Sequence, residues 1–408
     1  MSRNSIGIIL SLLAVVLLAL VVIHNGVGSS GQQVYSPTQV LSATWYSYKK
    51  NYISPDYRTL DTQRSNITTS EGQSYTMLRA VWQGDQTTFD GAWAWTRKNL
   101  GRTADHLFSW LWGTRSNGST GVLLEQSGEN SASDADTDIA LALLFAYARW
   151  QDPQYLEEAR LIISDIWELE VVTINGVPYL AADDIEKNAK THIVVNPSYF
   201  NPAAYHLFAQ VDKAHSWESV RKSSYDLLSK SMAAPLGGST SAGLPPDWIQ
   251  VDIRSGMLSP LVSTDHQSTF GYDALRVPLR VALDALWFDN PTAKALLNKF
   301  SFLTDEWMRS GRLASVYAHD GTVLSPNETI AMYGGTLGYF LANNPSVARQ
   351  IYETKLISQF DPTSNSWAAP LSYYDDNMAW FGVALYNNQL PNLAAGLPSS
   401  AFSKSSPQ

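Results

Sequence analysis

Apolar residues recur at helical spacing along most of the chain, and the helical segments follow one another in pairs. Apolar positions at i, i+3, i+4 and i+7 are typical of helices that bury one face. Pro, Asn, Asp and Gly stand at the breaks between segments, where helices end and begin. Five pairs are predicted in this way: 74–82 with 89–100, 137–150 with 154–170, 202–211 with 217–232, 274–288 with 293–309, and 329–342 with 346–355.

The first helix of several pairs is apolar on nearly every side. The clearest case is 139–146, in which every residue is apolar. A helix of this kind in a water-soluble domain has to be covered all round. The second helices, such as 155–170, mix Glu, Arg and Asp with apolar residues and suit an outer layer. The repeated inner and outer helices predict an all-α domain that closes into an α/α toroid.

Two short segments carry the alternation of β-hairpins. The first is 171–179, in which Asn175-Gly176 separates two alternating runs, and this dipeptide is a strong hairpin signal. The second is 313–323, which contains the turn sequence His319-Asp320-Gly321. Neither segment is long enough to form a sheet domain. We therefore predict small β-hairpin insertions in a helical domain.

The N-terminus carries a membrane-targeting signal. Arg3 precedes an apolar run from Ile6 to Ile23, whose only polar member is Ser11. About 18 apolar residues can just span a bilayer, whereas a cleaved signal peptide usually has a shorter apolar region and an Ala-x-Ala site. Export of the remaining chain follows in either case. We predict 1–24 as a signal anchor or, as the alternative, a cleaved signal peptide, 25–40 as a linker, 41–395 as the folded domain, and 396–408 as a disordered tail.

Composition narrows the classes of function. The 408 residues contain 28 Lys and Arg against 37 Asp and Glu, a net charge of −9, and no basic run, which argues against nucleic acid as a partner. There is no cysteine, so disulfides, thiol nucleophiles and zinc–thiolate or iron–sulfur sites are excluded. The 14 Trp and 20 Tyr exceed what a core alone requires, and such rings also line sites for flat ligands.

Polar clusters precede the inner helices. They contain Glu71, Asp134, Tyr199, Tyr272 and Asp273. Because the inner helices of a toroid of hairpins all begin at the same end, these clusters should converge on one mouth. Helix capping explains any single cluster. Four clusters that combine Glu, Asp and Tyr favour a functional site.

Several other chemistries do not fit the sequence. Asp134, Asp136 and Asp138 have the spacing of a calcium loop, but Ile139 stands where Gly is needed and Phe145 where Glu is needed. The chain has no His-Glu-x-x-His, no Gly-x-Ser-x-Gly and no glycine-rich phosphate loop. We predict no metal and no cofactor.

Five motifs follow one another along the chain, at 70–75, 132–140 with its continuation to 150, 196–199, 244–248 and 272–276. Together they resemble the motifs of glycoside hydrolase family 8. The sequences of 70–75 and of Leu-Trp-Gly at 111–113 are most similar to those of the endoglucanases that accompany bacterial cellulose synthesis. The resemblance implies an (α/α)6 barrel. It also implies inverting hydrolysis of β-1,4 glycans, mostly cellulose-type glucans.

The resemblance also implies a role for each matching side chain. Glu71 matches the general acid, Asp273 the general base, and Asp134 the acidic residue that holds the sugar at the point of cleavage. The implied substrate-binding residues are Trp110 as an aromatic platform, Tyr75, and Tyr199, Tyr272 and Arg276 around the base and its water. One departure is that some cellulases of the family carry a further platform Trp where this chain has Lys-Asn-Ala-Lys at 187–190.

An inverting mechanism requires one protonated and one ionised carboxyl group. Asp273 precedes a helix and lies three residues from Arg276, so the helix dipole and the cation should keep it ionised. Glu71 also lies at a helix start, which by itself would lower its pKa. We hypothesise that the charge of Asp134 and partial desolvation by bound substrate raise the pKa of Glu71 instead.

These features predict an exported endo-β-1,4-glucanase of the cell envelope, which acts as a monomer on a β-1,4-glucan. We also predict that it contacts the membrane through its N-terminal segment and associates with the cellulose synthesis machinery. An endo-xylanase, chitosanase or lichenase on the same fold is the alternative. A non-catalytic glycan-binding protein would require loss of Glu71 or Asp273, and both are present. A terpene-type cyclase would need an Asp-rich ionising motif, which 183–184 and 375–376 fit poorly.

Overall fold

The inner helices form from the long apolar runs, and the more polar second helices cover them. The computed structural model describes residues 35–238, 240–261, 263 and 267–397. By contacts the chain divides into Met1–Gln39 and Val40–Gln408, and the architecture that follows is that of the second unit. Its α-helices are α1 (Pro37–Tyr52), α2 (Ser70–Gln83), α3 (Gln86–Asn99), α4 (Ser133–Trp150), α5 (Pro153–Asp165), α6 (Pro202–Val211), α7 (Trp217–Ala233), α8 (Arg276–Phe288), α9 (Pro291–Leu297), α10 (Ser301–Ser310), α11 (Ile330–Asn343), α12 (Pro345–Ile351) and α13 (Tyr373–Tyr386).

Six helices form a closed inner ring in the order α2, α4, α6, α8, α11 and α13, and each packs against the next. The last of them, α13, returns to α2 and closes the ring. Helix α4 is buried along its length from Ser133 to Ala146, and α11 is buried from Ala331 to Phe340. The toroid predicted from helix pairing is confirmed as an (α/α)6 barrel.

The sixth hairpin joins the two ends of the folded domain. Trp380 of α13 donates its indole N–H to the Leu41 carbonyl of α1 over 3.0 Å. Asn377 donates to the Tyr48 hydroxyl over 3.2 Å, and Tyr52 donates to the Leu371 carbonyl over 2.5 Å. Pairing of neighbouring segments cannot find this hairpin, because its helices lie more than 300 residues apart. Helix α1 also begins inside the 25–40 segment that was predicted as a linker.

Three outer helices are less regular than the sequence predicted. The predicted helix 154–170 ends as α5 at Asp165 and continues as a π-helical turn, Ile166–Glu170. The predicted helix 293–309 is divided into α9 and α10. Helix α12 passes into a second π-helical turn, Tyr352–Leu356. Outer helices contact the barrel on one side only, so breaks in them leave the inner ring intact.

Short antiparallel sheets decorate the barrel. The strands are β1 (Thr68–Thr69), β2 (Leu111–Thr114), β3 (Thr120–Val122), β4 (Val171–Ile174), β5 (Val177–Leu180), β6 (His192–Val195), β7 (Ile249–Asp252), β8 (Leu258–Pro260), β9 (Val316–Tyr317), β10 (Val323–Ser325), β11 (Phe360–Asp361) and β12 (Ser366–Trp367). The predicted hairpin is confirmed as β4 and β5, with Asn175 and Gly176 at φ 51° and 79° as a two-residue turn with positive φ requires. The second predicted hairpin is present as β9 and β10.

Two three-stranded sheets were not predicted, and both lead into the starts of inner helices. Strand β1 ends at Thr69, directly before α2, and pairs with β2. Strand β6 ends at Val195, directly before the 196–199 motif, and pairs with β7. The paired strands are far apart in the sequence, so local alternation does not reveal them.

The predicted membrane-targeting segment 1–24 lies outside the described residues, as does most of the predicted tail 396–408. Among the described helices, none has both the length and the apolar character needed to cross a bilayer.

Closure of the ring depends on a buried ion pair between α2 and α13. Arg79 donates to Asp376 over 2.9 Å with the two side chains 0% and 3% exposed, and its guanidinium lies 4.2 Å from the Tyr48 ring centroid. We predict that Arg79→Ala lowers the free energy of unfolding by about 3–5 kcal/mol, because it leaves the Asp376 carboxyl buried without its cation. Denaturant unfolding measures this loss.

Arg349→Ala is the matched control, because the Arg349–Glu353 pair is exposed on both sides. We expect it to cost less than about 1 kcal/mol. Equal losses in the two variants would contradict the role of the buried pair.

Candidate functional site

The barrel opens into a cleft at the end where the inner helices begin. The cleft has a volume of about 760 Å³ and is lined by Glu71, Asp134, Asp273 and the rings of Trp110 and Tyr199. Its other lining residues are Arg64, Thr69, Ser70, Gln126, Ala132, Trp248 and Tyr373. The polar clusters that precede separate inner helices therefore converge on one mouth, as their positions in the sequence indicated.

A capped first turn places Glu71 in this cleft. Thr69, the last residue of β1, accepts a hydrogen bond from the Gly72 N–H over 3.0 Å and caps α2. This bond fixes the chain where it turns from strand to helix. Glu71, the second residue of α2, therefore projects from a rigid helix start.

Asp134 occupies the corresponding place at the start of α4. Ser133 donates its N–H to the Ala182 carbonyl over 3.0 Å and its hydroxyl to the Ala181 carbonyl over 2.6 Å. These bonds attach the first turn of α4 to the chain that follows β5. The Asp134 carboxyl group is 3% exposed and accepts the Ala135 N–H at Oδ1, so its second oxygen, Oδ2, is directed to Arg276.

One buried guanidinium group links all three carboxyl groups. Arg276, the first residue of α8, is 1% exposed. Its Nη1 donates to Glu71 Oε2 over 2.7 Å and to Asp134 Oδ2 over 2.9 Å. Its Nη2 donates to Asp273 Oδ1 over 2.6 Å. The arginine therefore sets the positions of Glu71, Asp134 and Asp273 relative to one another.

Further side chains hold Arg276 itself. Nη1 also donates to the Tyr75 hydroxyl over 3.0 Å, and Nη2 donates to Ser198 Oγ over 2.8 Å. The Tyr199 ring lies 5.3 Å from the guanidinium carbon. Tyr75 is only 2% exposed. The structure thus places Arg276 against the carboxyl groups and Tyr75 against Arg276, and neither is among the residues that line the cleft.

The surroundings of Glu71 favour its protonated form. The cleft walls enclose its side chain, which is 21% exposed, and this desolvation is the main reason that its pKa is raised to about 7. The negative charges of Asp134 and Asp273 raise the pKa further, whereas Arg276 and the Tyr373 hydroxyl lower it. The Asp134 charge acts in the direction hypothesised from the sequence, and the desolvation comes from burial by the protein itself rather than from bound substrate.

Asp273 is the most open of the three carboxyl groups, with a side chain that is 30% exposed. Oδ1 accepts from Arg276, and Oδ2 accepts from the Trp248 indole N–H over 2.9 Å. Asp273 and Glu71 accept from different nitrogens of Arg276, Nη2 and Nη1, so the guanidinium group lies between the two carboxyl groups.

The remaining predicted site residues differ in position. Trp110 lines the cleft, and its indole N–H donates to the Ser127 carbonyl over 2.9 Å, which fixes the ring plane. Tyr272 is 46% exposed, and its ring contacts Tyr374 with centroids 6.2 Å apart. The Tyr374 hydroxyl donates to the Tyr272 carbonyl. Tyr272 thus contacts α13 and not the carboxyl cluster.

Two contacts of the carboxyl groups were not predicted from the sequence. Tyr373, at the start of α13, donates its hydroxyl to Glu71 Oε1 over 2.9 Å. Trp248 contacts Asp273, although the 244–248 motif had no assigned role. The signal for Tyr373 is present in the sequence, because Ser372 caps an apolar helix just as Thr69 does.

Within the part of the chain that the structure describes, no three His, Asp or Glu side chains are placed to hold a metal ion. The three carboxyl groups of the cleft instead share the guanidinium group of Arg276. What the arrangement provides is a protonated carboxyl group and a hydrogen-bond-accepting carboxyl group on one open surface.

Known proteins share this chain's sequence pattern and fold. The model of glycosyl hydrolases family 8 matches residues 25–387. An endoglucanase from Cellulomonas uda is 29% identical over 257 residues, which cover 63% of this chain and 66% of that protein. An endoglucanase from Escherichia coli (strain K12) is 32% identical over 260 residues, with 63% and 66% covered. The chain thus spans about two thirds of the length of these relatives.

Solved structures agree with the fold. The endo-1,4-D-glucanase from Vibrio fischeri ES114 superposes with a TM-score of 0.70 at 28% identity, over 84% of this chain and 94% of that one. The match therefore includes nearly all of that barrel.

Proposed function

Because the chain belongs to glycosyl hydrolase family 8, we propose that it is an endo-β-1,4-glucanase that cleaves cellulose-type β-glucan with inversion of configuration. The observation that carries the proposal is the pair of carboxyl groups on either side of Arg276. Glu71 has its pKa raised to about 7, and Asp273 is open to the cleft with both oxygens held by donors. Inverting hydrolysis requires an acid and a base in this relation.

Glu71 is the general acid in this proposal. Its carboxyl proton passes to the glycosidic oxygen as the bond to the anomeric carbon breaks. The carboxylate that remains is stabilised by Arg276 Nη1 at 2.7 Å and by the Tyr373 hydroxyl at 2.9 Å. These donors lower the cost of losing the proton, while burial keeps the proton in place until substrate is bound.

Asp273 is the general base. A water on the opposite face of the sugar attacks the anomeric carbon, and its proton passes to a carboxylate oxygen of Asp273. Arg276 and Trp248 fix the two oxygens, so the carboxylate accepts the proton without rotating. Asp134 holds the sugar at the point of cleavage, and its negative charge also raises the pKa of Glu71.

The rings of the cleft hold the glycan. Trp110 has its plane fixed by Ser127, and Tyr199 packs edge to face on Trp248 with centroids 5.5 Å apart. Flat rings pack against the apolar faces of sugars, and fixed rings lose little entropy when they do so. A binding role for these residues supplies a reason for part of the aromatic excess of the chain.

We further propose that the enzyme works outside the cytoplasm as a monomer in the cell envelope. The apolar run from Ile6 to Ile23 supports export, as a signal anchor or as a cleaved signal peptide. The resemblance of 70–75 to endoglucanases that accompany cellulose synthesis supports a place beside that machinery. Cell fractionation with a C-terminal tag separates a membrane-anchored form from a released form, and cytoplasmic protein would contradict export.

The substrate is tested by reducing-end release and product stereochemistry. We expect release from carboxymethylcellulose, with the α-anomer appearing first in proton NMR spectra. Xylan, chitosan and mixed-linkage glucan are the parallel substrates, because the same acid and base would serve an endo-xylanase, a chitosanase or a lichenase. Release from none of the four, or first appearance of the β-anomer, would contradict the proposal.

Glu71→Gln should remove the proton donor and leave the size of the side chain unchanged. With natural glycans we expect kcat to fall by roughly 10²–10⁴-fold, the usual contribution of a general acid. With a substrate whose leaving group needs no proton, such as a glycosyl fluoride, the loss should be much smaller. Equal losses with the two kinds of substrate would remove Glu71 from the acid role.

Asp134→Asn should shift the pH profile in a defined direction. Activity requires protonated Glu71, so it is lost as the pH rises through the pKa of Glu71. The Asp134 charge raises that pKa, so its removal should move the alkaline limb of kcat/KM to lower pH. Asp289→Asn makes the same change of charge on the exposed exterior and should leave the limb in place. An unshifted limb in Asp134→Asn would refute the electrostatic role.

A further inference from the structure

Asp247 accepts three main-chain hydrogen bonds from the segment that carries Asp273. One oxygen, Oδ1, accepts the N–H groups of Gly271 at 3.1 Å, of Asp273 at 3.1 Å and of Ala274 at 2.7 Å. The Asp247 residue is 7% exposed. These contacts hold the main chain of the segment 271–274 against a single carboxyl group.

The space around Asp247 is shaped for this carboxyl group. Oδ2 accepts the Thr269 hydroxyl over 2.8 Å, and the Asp247 N–H donates to the Thr269 carbonyl over 2.5 Å. A Cβ atom on Gly271 would lie 2.9 Å from Oδ2. Only glycine at 271 therefore leaves the carboxyl group its full space.

The next residue in the chain holds the side chain of Asp273. The Trp248 indole N–H donates to Asp273 Oδ2 over 2.9 Å, and its ring packs on Tyr199. Asp247 thus holds the main chain of Asp273, and Trp248 holds its carboxyl group. Two adjacent residues fix the same aspartate in two independent ways.

The choice of an aspartate at 247 is unfavourable for stability alone. Burial raises the pKa of Asp247 to about 7, and the nearby charge of Asp273 raises it as well. Among the residues that the structure describes, no cation forms an ion pair with Asp247. A buried carboxylate near another carboxylate costs free energy, and the hydrogen bonds from Gly271, Ala274 and Thr269 offset part of that cost.

We propose that Asp247 is a positioning residue for the general base: it fixes the main chain of Asp273, and Trp248 completes the alignment of the carboxylate toward its water. The proposal rests on the proposed role of Asp273 as base. Asp273 and Arg276 both lie at the turn that starts α8, and Arg276 donates its N–H to the Asp273 carbonyl over 3.1 Å. A displacement of this turn would move the base relative to the acid, and misplacement by about 1 Å can cost roughly 10²-fold in rate.

The test is the steady-state kinetics of Asp247→Ala with a soluble cello-oligosaccharide and with the matching glycosyl fluoride. We expect kcat to fall about 100-fold while KM changes less than about threefold. The loss should be similar for the two substrates, because the water must be deprotonated whatever the leaving group. A defect in the acid would instead be relieved by the fluoride.

Two further variants keep the test decisive if Asp247→Ala does not fold. Gly271→Ala pushes on Asp247 from the other side and should lower kcat about tenfold with KM unchanged. Asp247→Asn keeps the accepting oxygen and should recover most of the activity that Asp247→Ala loses. Asp252→Ala is the matched control, since half-buried Asp252 also accepts main-chain N–H groups, of Arg254 at 3.0 Å and Ser255 at 2.7 Å, but within the turn that follows β7.

Values of kcat within about threefold of the wild type in both Asp247→Ala and Gly271→Ala would overturn the proposal, as would a rise in KM at unchanged kcat. Asp273→Ala distinguishes a failure of the assignment of Asp273 as base from a failure of the positioning role of Asp247. If Asp273→Ala remains active, the assignment of the base fails, and the positioning role fails with it. If it is inactive while the Asp247 and Gly271 variants are active, only the positioning role is refuted.

Discussion

The site depends on one buried cation among three carboxyl groups. Arg276 is held by hydrogen bonds to Glu71, Asp134 and Asp273 at 2.6 to 2.9 Å. A single positive charge cannot neutralise three negative charges, so the cluster favours retention of a proton. Burial and the charges of Asp134 and Asp273 raise the pKa of Glu71 to about 7, which makes Glu71 a holder of that proton. The difference in protonation that acid–base hydrolysis needs thus follows from the count of charges around the arginine.

Helices α4 and α8 are joined by a second ion pair, one turn beyond Asp134 and Arg276. Arg280 forms a two-pronged contact with Asp138, at 2.7 and 2.8 Å. Arg276 with Arg280 on α8, and Asp134 with Asp138 on α4, have the i, i+4 spacing that places side chains on one face of a helix. Buried pairs add little stability because of their desolvation cost, but they specify geometry. Here they fix the register of α4 against α8, and with it the position of Asp134 beside Glu71.

The sequence predicted those parts of the fold and site that depend on patterns within a single segment. The apolar run 139–146 identified an inner helix, and the polar residues before such helices identified Glu71, Asp134 and Asp273. The missed parts are contacts between distant segments. Helices α1 and α13 pair across the whole domain, and β6 pairs with β7 across more than 50 residues. The contacts of Tyr373 with Glu71 and of Asp247 with the Asp273 main chain also join distant segments, so a local pattern can place Tyr373 at a helix start but cannot show which residue it contacts.

The most direct test is to locate the protons of the carboxyl cluster by neutron diffraction from crystals of the unliganded enzyme at about pH 5.5. This pH lies below the value of about 7 to which the pKa of Glu71 is raised. We expect a deuteron on Glu71 and none on Asp273, with Arg276 bridging the two. A bare Glu71 opposite a deuterated Asp273 would contradict it.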